Sequence, residues 1–179
     1  MGQLILSLQL KGGEREKVIV IISVTAELGL TSISKDTATG AIVFRPKLAA
    51  AVAYTGEFQI VIERGAYADV HDAVEVIAEN GSHVCGYAGS RIRALLGSLV
   101  TAEEGATVFA ENGSFVTAYD GSAIEAFYGS QIKARFGSYV IKHLGAMVDR
   151  FCGSTVVDSF GKTISHIVET GTGGRLMGR

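Results

Sequence analysis

The side chains able to act as nucleophiles, metal ligands or proton carriers are few and scattered along this sequence. His83 and Cys85 stand two residues apart. A thiol–imidazole couple works only with the ring within hydrogen-bond reach of the sulfur, and two same-face residues of one strand lie about 7 Å apart. With His71 they would approach a zinc set, yet His71 and His83 fall at opposite ends of a strand. Asp69, Asp72, Glu75 and Glu79 form the densest acidic group, which a metal-assisted or carbohydrate-acting enzyme would need converged on one surface. Lys142 and Asp158, and likewise Arg150 and His166, are sixteen residues apart. Stacked, they would either grip an anion or simply touch across a solvated corner, where an ion pair contributes little. Gly171–Gly174 with Arg175 look like a fragment of a phosphate loop, but lack the Lys-Ser/Thr that such a loop needs. No set is complete, so the sequence predicts no catalytic residue, no metal and no cofactor.

What positions these residues is a repeat. From Gly65 to Val168 the chain falls into thirteen blocks of eight, GAYADVHD, AVEVIAEN, GSHVCGYA and so on to GKTISHIV. Gly opens twelve of them, Ala73 being the exception; Val or Ile holds the fourth place in twelve, Ser the second in eight and Ala the sixth in seven. Eight residues are about 2.2 helical turns, so this period would drift around a helix. Each Gly would also destabilise a helix by about 1 kcal/mol. The alternation fits a short strand instead, with places 2, 4 and 6 inward, places 3, 5 and 7 outward and Gly at the corner. Identical inward sequences at fixed spacing can coil. Three blocks per coil would make a triangular rod and two a flattened one; the small inward residues favour two, or sixteen residues. The expected fold class is therefore all-β: a right-handed parallel β-solenoid of six and a half coils, roughly 30 Å long. Stacked valines and inward Ser hydroxyls bonded to the corner backbone would hold it together.

Residues 1–64 read as a small N-terminal β or α+β cap, 65–168 as the solenoid and 169–179 as a flexible tail. Strands are expected over Leu4–Leu10, Lys17–Thr25, Ala41–Phe44 and Phe58–Glu63, with Lys47–Tyr54 a helix or a strand. Phe58, Ile60 and Ile62 keep the inward register with bulkier side chains. Towards the C-terminus the sixth place becomes Lys142, Arg150, Asp158 and His166, while the eighth turns apolar at Tyr128, Phe136, Leu144, Cys152, Phe160 and Val168. This predicts that the corner side chain swings into the core as the sixth swings out.

Stretches such as GSLVTAEEGATVFAENGSFVTAYDGSAIEAFYGS resemble the octapeptide repeats of bacterial ice-nucleation proteins. They are still more similar to the GSATVxAYD arrays of hypothetical phage and actinobacterial proteins. The resemblance covers about residues 73 to 140 well and 65 to 168 loosely, and it is specific for the repeat rather than for an activity. It implies a phage or phage-derived origin, and by the ice-nucleation likeness an ice-binding face. That family carries regular Thr rows, whereas the fifth places of one face here run Asp69, Cys85, Thr101, Thr117, Lys133, Asp149 and Ser165.

Composition narrows the function classes. Hydrophobic residues at 47% and charged residues at 19% exclude a disordered chain. A net charge of −2, with Arg91 and Arg93 on one face and Lys133 and Arg135 on the other, argues against nucleic-acid binding. The longest apolar runs, Val18–Ile22 and Leu48–Tyr54, are far short of the roughly 20 residues that span a bilayer. Met1–Leu10 lacks the basic flank of a signal peptide. Cys85 and Cys152 then read as reduced thiols of a cytoplasmic protein.

The remaining candidates are outward apolar side chains, which a solvated rod does not need. Tyr67, Tyr87, Phe115, Tyr119 and Phe151 share one face with Leu99 and Met147. Leu95, Phe109, Phe127, Tyr139, Ile141 and Val157 lie on the other. Either the N-terminal region covers one face or these residues form a docking surface, anchored at Tyr87, Leu99, Phe115, Tyr119, Phe151, Phe109 and Phe127. The expected function is a non-enzymatic, phage-type interaction protein that self-associates into a homo-oligomer and binds another protein. A phage inhibitor of a host defence protein, an ice-binding protein and a solenoid-type carbohydrate-acting enzyme are the alternatives.

Overall fold

The structure is a computed structural model that describes residues 5–11 and 17–164, with side chains from Val20 onward. Every regular element is a strand apart from one 3-10 turn at Ala26–Leu28. The strands before the repeat are β1 (Ile5–Lys11), β2 (Lys17–Val24), β3 (Leu30–Lys35), β4 (Ile42–Pro46), β5 (Val52–Tyr54) and β6 (Phe58–Ile62). The repeat supplies β7 (Tyr67–Val70), β8 (Glu75–Ala78), β9 (His83–Gly86), β10 (Arg91–Ala94), β11 (Leu99–Ala102) and β12 (Thr107–Ala110). It continues with β13 (Phe115–Ala118), β14 (Ala123–Ala126), β15 (Gln131–Ala134), β16 (Tyr139–Lys142), β17 (Met147–Arg150) and β18 (Thr155–Asp158). Sheet 1 runs β1-β2-β6-β8-β10-β12-β14-β16-β18, and sheet 2 runs β17-β15-β13-β11-β9-β7-β3-β4-β5. Successive octads alternate between the sheets, so a coil takes two of them. Val100 pairs with Val116, and Val116 with Ile132, at sixteen-residue intervals. The two-block coil is thus the observed one, and the α+β option for residues 1–64 gives way to strands.

Each place in the octad has a physical task. The Val and Ile of the fourth place and the Ala of the sixth are buried between the sheets along most of the rod. At the corners the repeat glycines take φ between 71° and 83°, a region costing an L-residue roughly 1–2 kcal/mol. Their amides form ladders along the rod, Gly81 N–H to Gly97 O on one corner and Gly89 N–H to Gly105 O on the other, at 2.9 and 3.0 Å. The Ser hydroxyl at the second place donates back to the carbonyl three residues earlier, as Ser82 does to Glu79 and Ser98 to Leu95, both at 2.6 Å. Ser90 is the exception. Its Oγ is buried without a partner, and it sits beside Gly86, where Ile92 Cδ1 fills the space of a missing Cβ. Ala73, the one octad start that is not Gly, still adopts φ 58°. Ala73→Gly should therefore raise stability by about 1 kcal/mol, relief of the left-handed strain exceeding the extra chain entropy; a urea midpoint lower than wild type would contradict it.

The two sheets do not begin at Gly65. β2 pairs in parallel with β6, Ile22 against Ile60, and β3 with β7, Ile33 against Val70. β2 and β3 thus form a first coil that carries no octad signature. The β4–β5 hairpin is an excursion between this coil and β6, antiparallel on β3 with Ile33 opposite Phe44. Leu28 and Phe44 are fully buried, and Tyr54 packs edge-on against Phe44 and Phe58 at 5.8 and 6.3 Å. These large side chains plug the N-terminal end of the core. β1, antiparallel to β2, closes that edge of sheet 1 against parallel stacking.

The C-terminal end departs from the octad in three ways. First, the described start of the thirteenth block, 161–164, does not continue the rod as a rung. The chain turns at Asp158, whose Oδ1 accepts Phe160 N–H and Lys162 N–H, and Thr163 bridges back antiparallel to Val157. Val157, read as an outward residue, is consequently 5% exposed. Residues 165–179, which include His166, Val168 and the Gly171–Arg175 segment, lie outside the described residues. Second, the eighth-place side chains do not swing in: Tyr128, Phe136, Leu144 and Phe160 are 68–94% exposed. Two of them lean over the glycine one coil further on, Tyr128 over Gly145 and Phe136 over Gly153. That glycine is therefore required for space as well as for φ. Third, Lys142 and Arg150 stay half-buried at the sixth place. Arg150 reaches across the end of the core to the carbonyls of Ser154 and Ile164 at 3.1 and 3.5 Å.

Candidate functional site

Neither outer face is covered by the N-terminal strands, which extend the sheets end-on. The alternative of intramolecular cover is thus not taken among the described residues. The faces differ in how their polar groups are used. On sheet 1, Arg93 bonds Glu111, and His143 Nε2 meets Glu125 Oε1 at 2.8 Å with the Phe127 ring stacked on the imidazole at 4.7 Å. The sheet 1 candidates therefore stand beside paired polar groups: Phe127 is half-buried, and Phe109 is only 37% exposed.

Sheet 2 instead carries a groove of about 600 Å³ along the rod. One wall is the third-place row, in which Leu30, Tyr67, Leu99, Phe115 and Met147 are 41–55% exposed. The fifth-place row, from Asp69 through Cys85, Thr101 and Thr117 to Lys133 and Asp149, lines it as well. Apart from Lys133 these side chains are short, and they leave the depression because they stand beside longer ones. Beyond them the seventh-place residues Tyr87, Tyr119 and Phe151 mark the corner. His71 stacks on Tyr87 at 4.4 Å, and the Arg135 guanidinium lies 4.1 Å from the Phe151 ring centre. Burial pushes the Asp69 carboxyl and the Cys85 thiol above their usual ranges, and the nearby Asp69 charge adds to the effect on Cys85. Burial likewise raises Tyr87.

No family model, curated protein or solved structure matches the chain. What it can do must be read from its own geometry. Five of the seven expected contact residues, Tyr87, Leu99, Phe115, Tyr119 and Phe151, gather along sheet 2, with Leu99 and Phe115 on adjacent rungs. Phe109 and Phe127 belong to the opposite face. The chemical sets of the sequence do not assemble. Asp69 faces out from sheet 2 and Glu75 from sheet 1, with Asp72 at the corner between them. His83 stacks on Tyr67 at 4.6 Å and His71 on Tyr87. Among the described residues no three His, Cys, Asp or Glu side chains converge as a metal site. Lys142 and Asp158 are rung partners, but the Asp158 carboxylate is used by its own turn. No helix among these residues is long and apolar enough to cross a membrane.

Two features of the surface had no readable signal. Leu30 joins the groove from a coil whose turn, at Gly29, is off the octad spacing. The exposed eighth-place row of Leu96, Tyr128 and Leu144 is visible only once the corner geometry places it outside.

Proposed function

We propose that the chain is a non-enzymatic interaction protein whose working surface is the outer face of sheet 2. The observation that carries this reading is the row of half-exposed apolar side chains, present on five of the seven rungs of sheet 2, with none of the described residues folded over them. An exposed apolar strip of this regularity is the usual mark of a partner surface, and its aromatic residues are the type that anchors interfaces. The octad's likeness to phage and actinobacterial arrays supports a phage-type origin. The free thiols Cys85 and Cys152 suit the reducing cytoplasm. Obstruction of a host protein is the form this surface would take if the partner is foreign.

Phe115→Ala and Tyr119→Ala are the test. Both side chains are about 40% exposed, so the fold should be unchanged by circular dichroism. Each change should weaken self-association in light scattering, or capture of a partner in co-precipitation, by roughly thirtyfold, the effect of an interface anchor. Wild-type behaviour of both variants in both assays would remove sheet 2 as the working surface.

A further inference from the structure

Resting on that reading, we propose that the occupant of the sheet 2 face is a second copy of this chain, antiparallel to the first about a two-fold axis lying along β13. Charge carries the inference. Sheet 1 carries two pairs, Arg93 with Glu111 and Glu125 with His143, while its rung partners Glu75 and Arg91 make no ion pair. On sheet 2 none of Asp69, Glu103, Lys133, Arg135 and Asp149 has an ion pair among the described residues, and Arg135 Nε is buried without a hydrogen-bond partner.

A two-fold axis in the plane of the face and parallel to the strands reverses the order of rungs and keeps each column opposite itself. Seven rungs are available, from β3 to β17. An axis along β11 would set Glu103 against its own copy. An axis midway between β11 and β13 would set Asp69 against Asp149. The axis along β13 sets Glu103 against the second copy's Arg135, twice by symmetry, and brings no like charges together. Among axes that leave four or more rungs facing, it alone combines these two properties. It also sets Phe115, Thr117 and Tyr119 each against itself and Tyr87 against Phe151. Lys133 meets Thr101 and Asp149 meets Cys85, while Asp69 and His71 lie beyond the five facing rungs. Those rungs span roughly 24 Å of rod, a face at the small end for specific complexes, which points to a dimer that dissociates in the micromolar range.

Sedimentation of the full chain over about 1 to 100 μM tests this. Wild type should dimerise. Glu103→Arg and Arg135→Glu should each weaken the dimer roughly tenfold, because each opposes like charges twice, and E103R/R135E together should return to within about threefold of wild type. Strengthening by Glu103→Gln, which would relieve a carboxylate set against its own copy, would indicate the β11 axis and overturn the proposal, as would a double variant no better than the singles. If both singles dimerise as wild type while Phe115→Ala does not, this register fails and the face stands. A monomeric wild type overturns the second copy as occupant; loss of partner capture in Phe115→Ala would then keep the face, and unchanged capture would remove both.

Discussion

Gly105→Ala should lower stability by about 2–4 kcal/mol, against about 1 kcal/mol for Gly40→Ala. Both glycines have left-handed φ, 74° and 71°, so both substitutions meet the same conformational strain. They differ in what the new methyl group meets. At Gly40 nothing lies within 4 Å, whereas at Gly105 a Cβ would stand 3.1 Å from Ala88 Cα and 3.3 Å from Ala88 Cβ. Ala88 sits on the coil below and cannot rotate away. The spacing of the coils is held by the corner ladder, Gly89 N–H to Gly105 O at 3.0 Å and Gly105 N–H to Gly121 O at 3.1 Å. Relief would therefore stretch hydrogen bonds on two rungs. Urea unfolding of the pair checks this; equal midpoints would mean that φ alone accounts for the glycine column.

Ile124→Ala should cost about 2–5 kcal/mol, whereas Phe109→Ala should stay within about 1 kcal/mol despite losing the larger ring. Ile124 is 2% exposed and lies between Val108 and Val140 in the ladder, while Phe109 is 37% exposed on the outer face. The cavity has little prospect of collapse, because the surrounding core is built of Val and Ala, too short to reach into it. Each coil touches only its neighbours, so the damage should be local. Amide exchange should accelerate first in β12, β14 and β16. Uniform acceleration over the whole rod would instead mean that the coils unfold as one unit.

The repeat was legible because each of its places does one task. Gly at the corner, Ser bonding back and Val inward recur whatever the exterior carries. Legibility stops where that division of labour stops. β2 and β3 form a full coil whose turn glycine, Gly29, is off the octad spacing, so Ile22 and Ile33 look like residues of a separate cap. Gly161 and Ile164 keep the octad spacing on paper, yet the Asp158 turn sends them back along β18. Tyr128 and Phe136 were assigned inward on hydrophobicity alone. The structure places them outside, leaning over glycines whose bareness is a property of the neighbouring coil and has no local trace. The candidate face was half legible: the alternation put Leu99 and Phe115 outside, but which charges meet, Arg93 with Glu111 and His143 with Glu125, depends on side-chain reach across eighteen residues.

The two-octad coil also determines how a chain like this can change length. Its interior reads alike in every octad from Gly89 to Phe136, so loss of eight of those residues or of sixteen would leave an equally sound core. The exterior does not read the same. Excising residues 105–120 would splice β11 to β14 and leave every later strand in its own sheet. Excising eight would transpose the two surfaces from that point on and carry Lys133 and Arg135 to the opposite side of the rod. Folding would be blind to such a slip, and only whatever the surface has to recognise would register it.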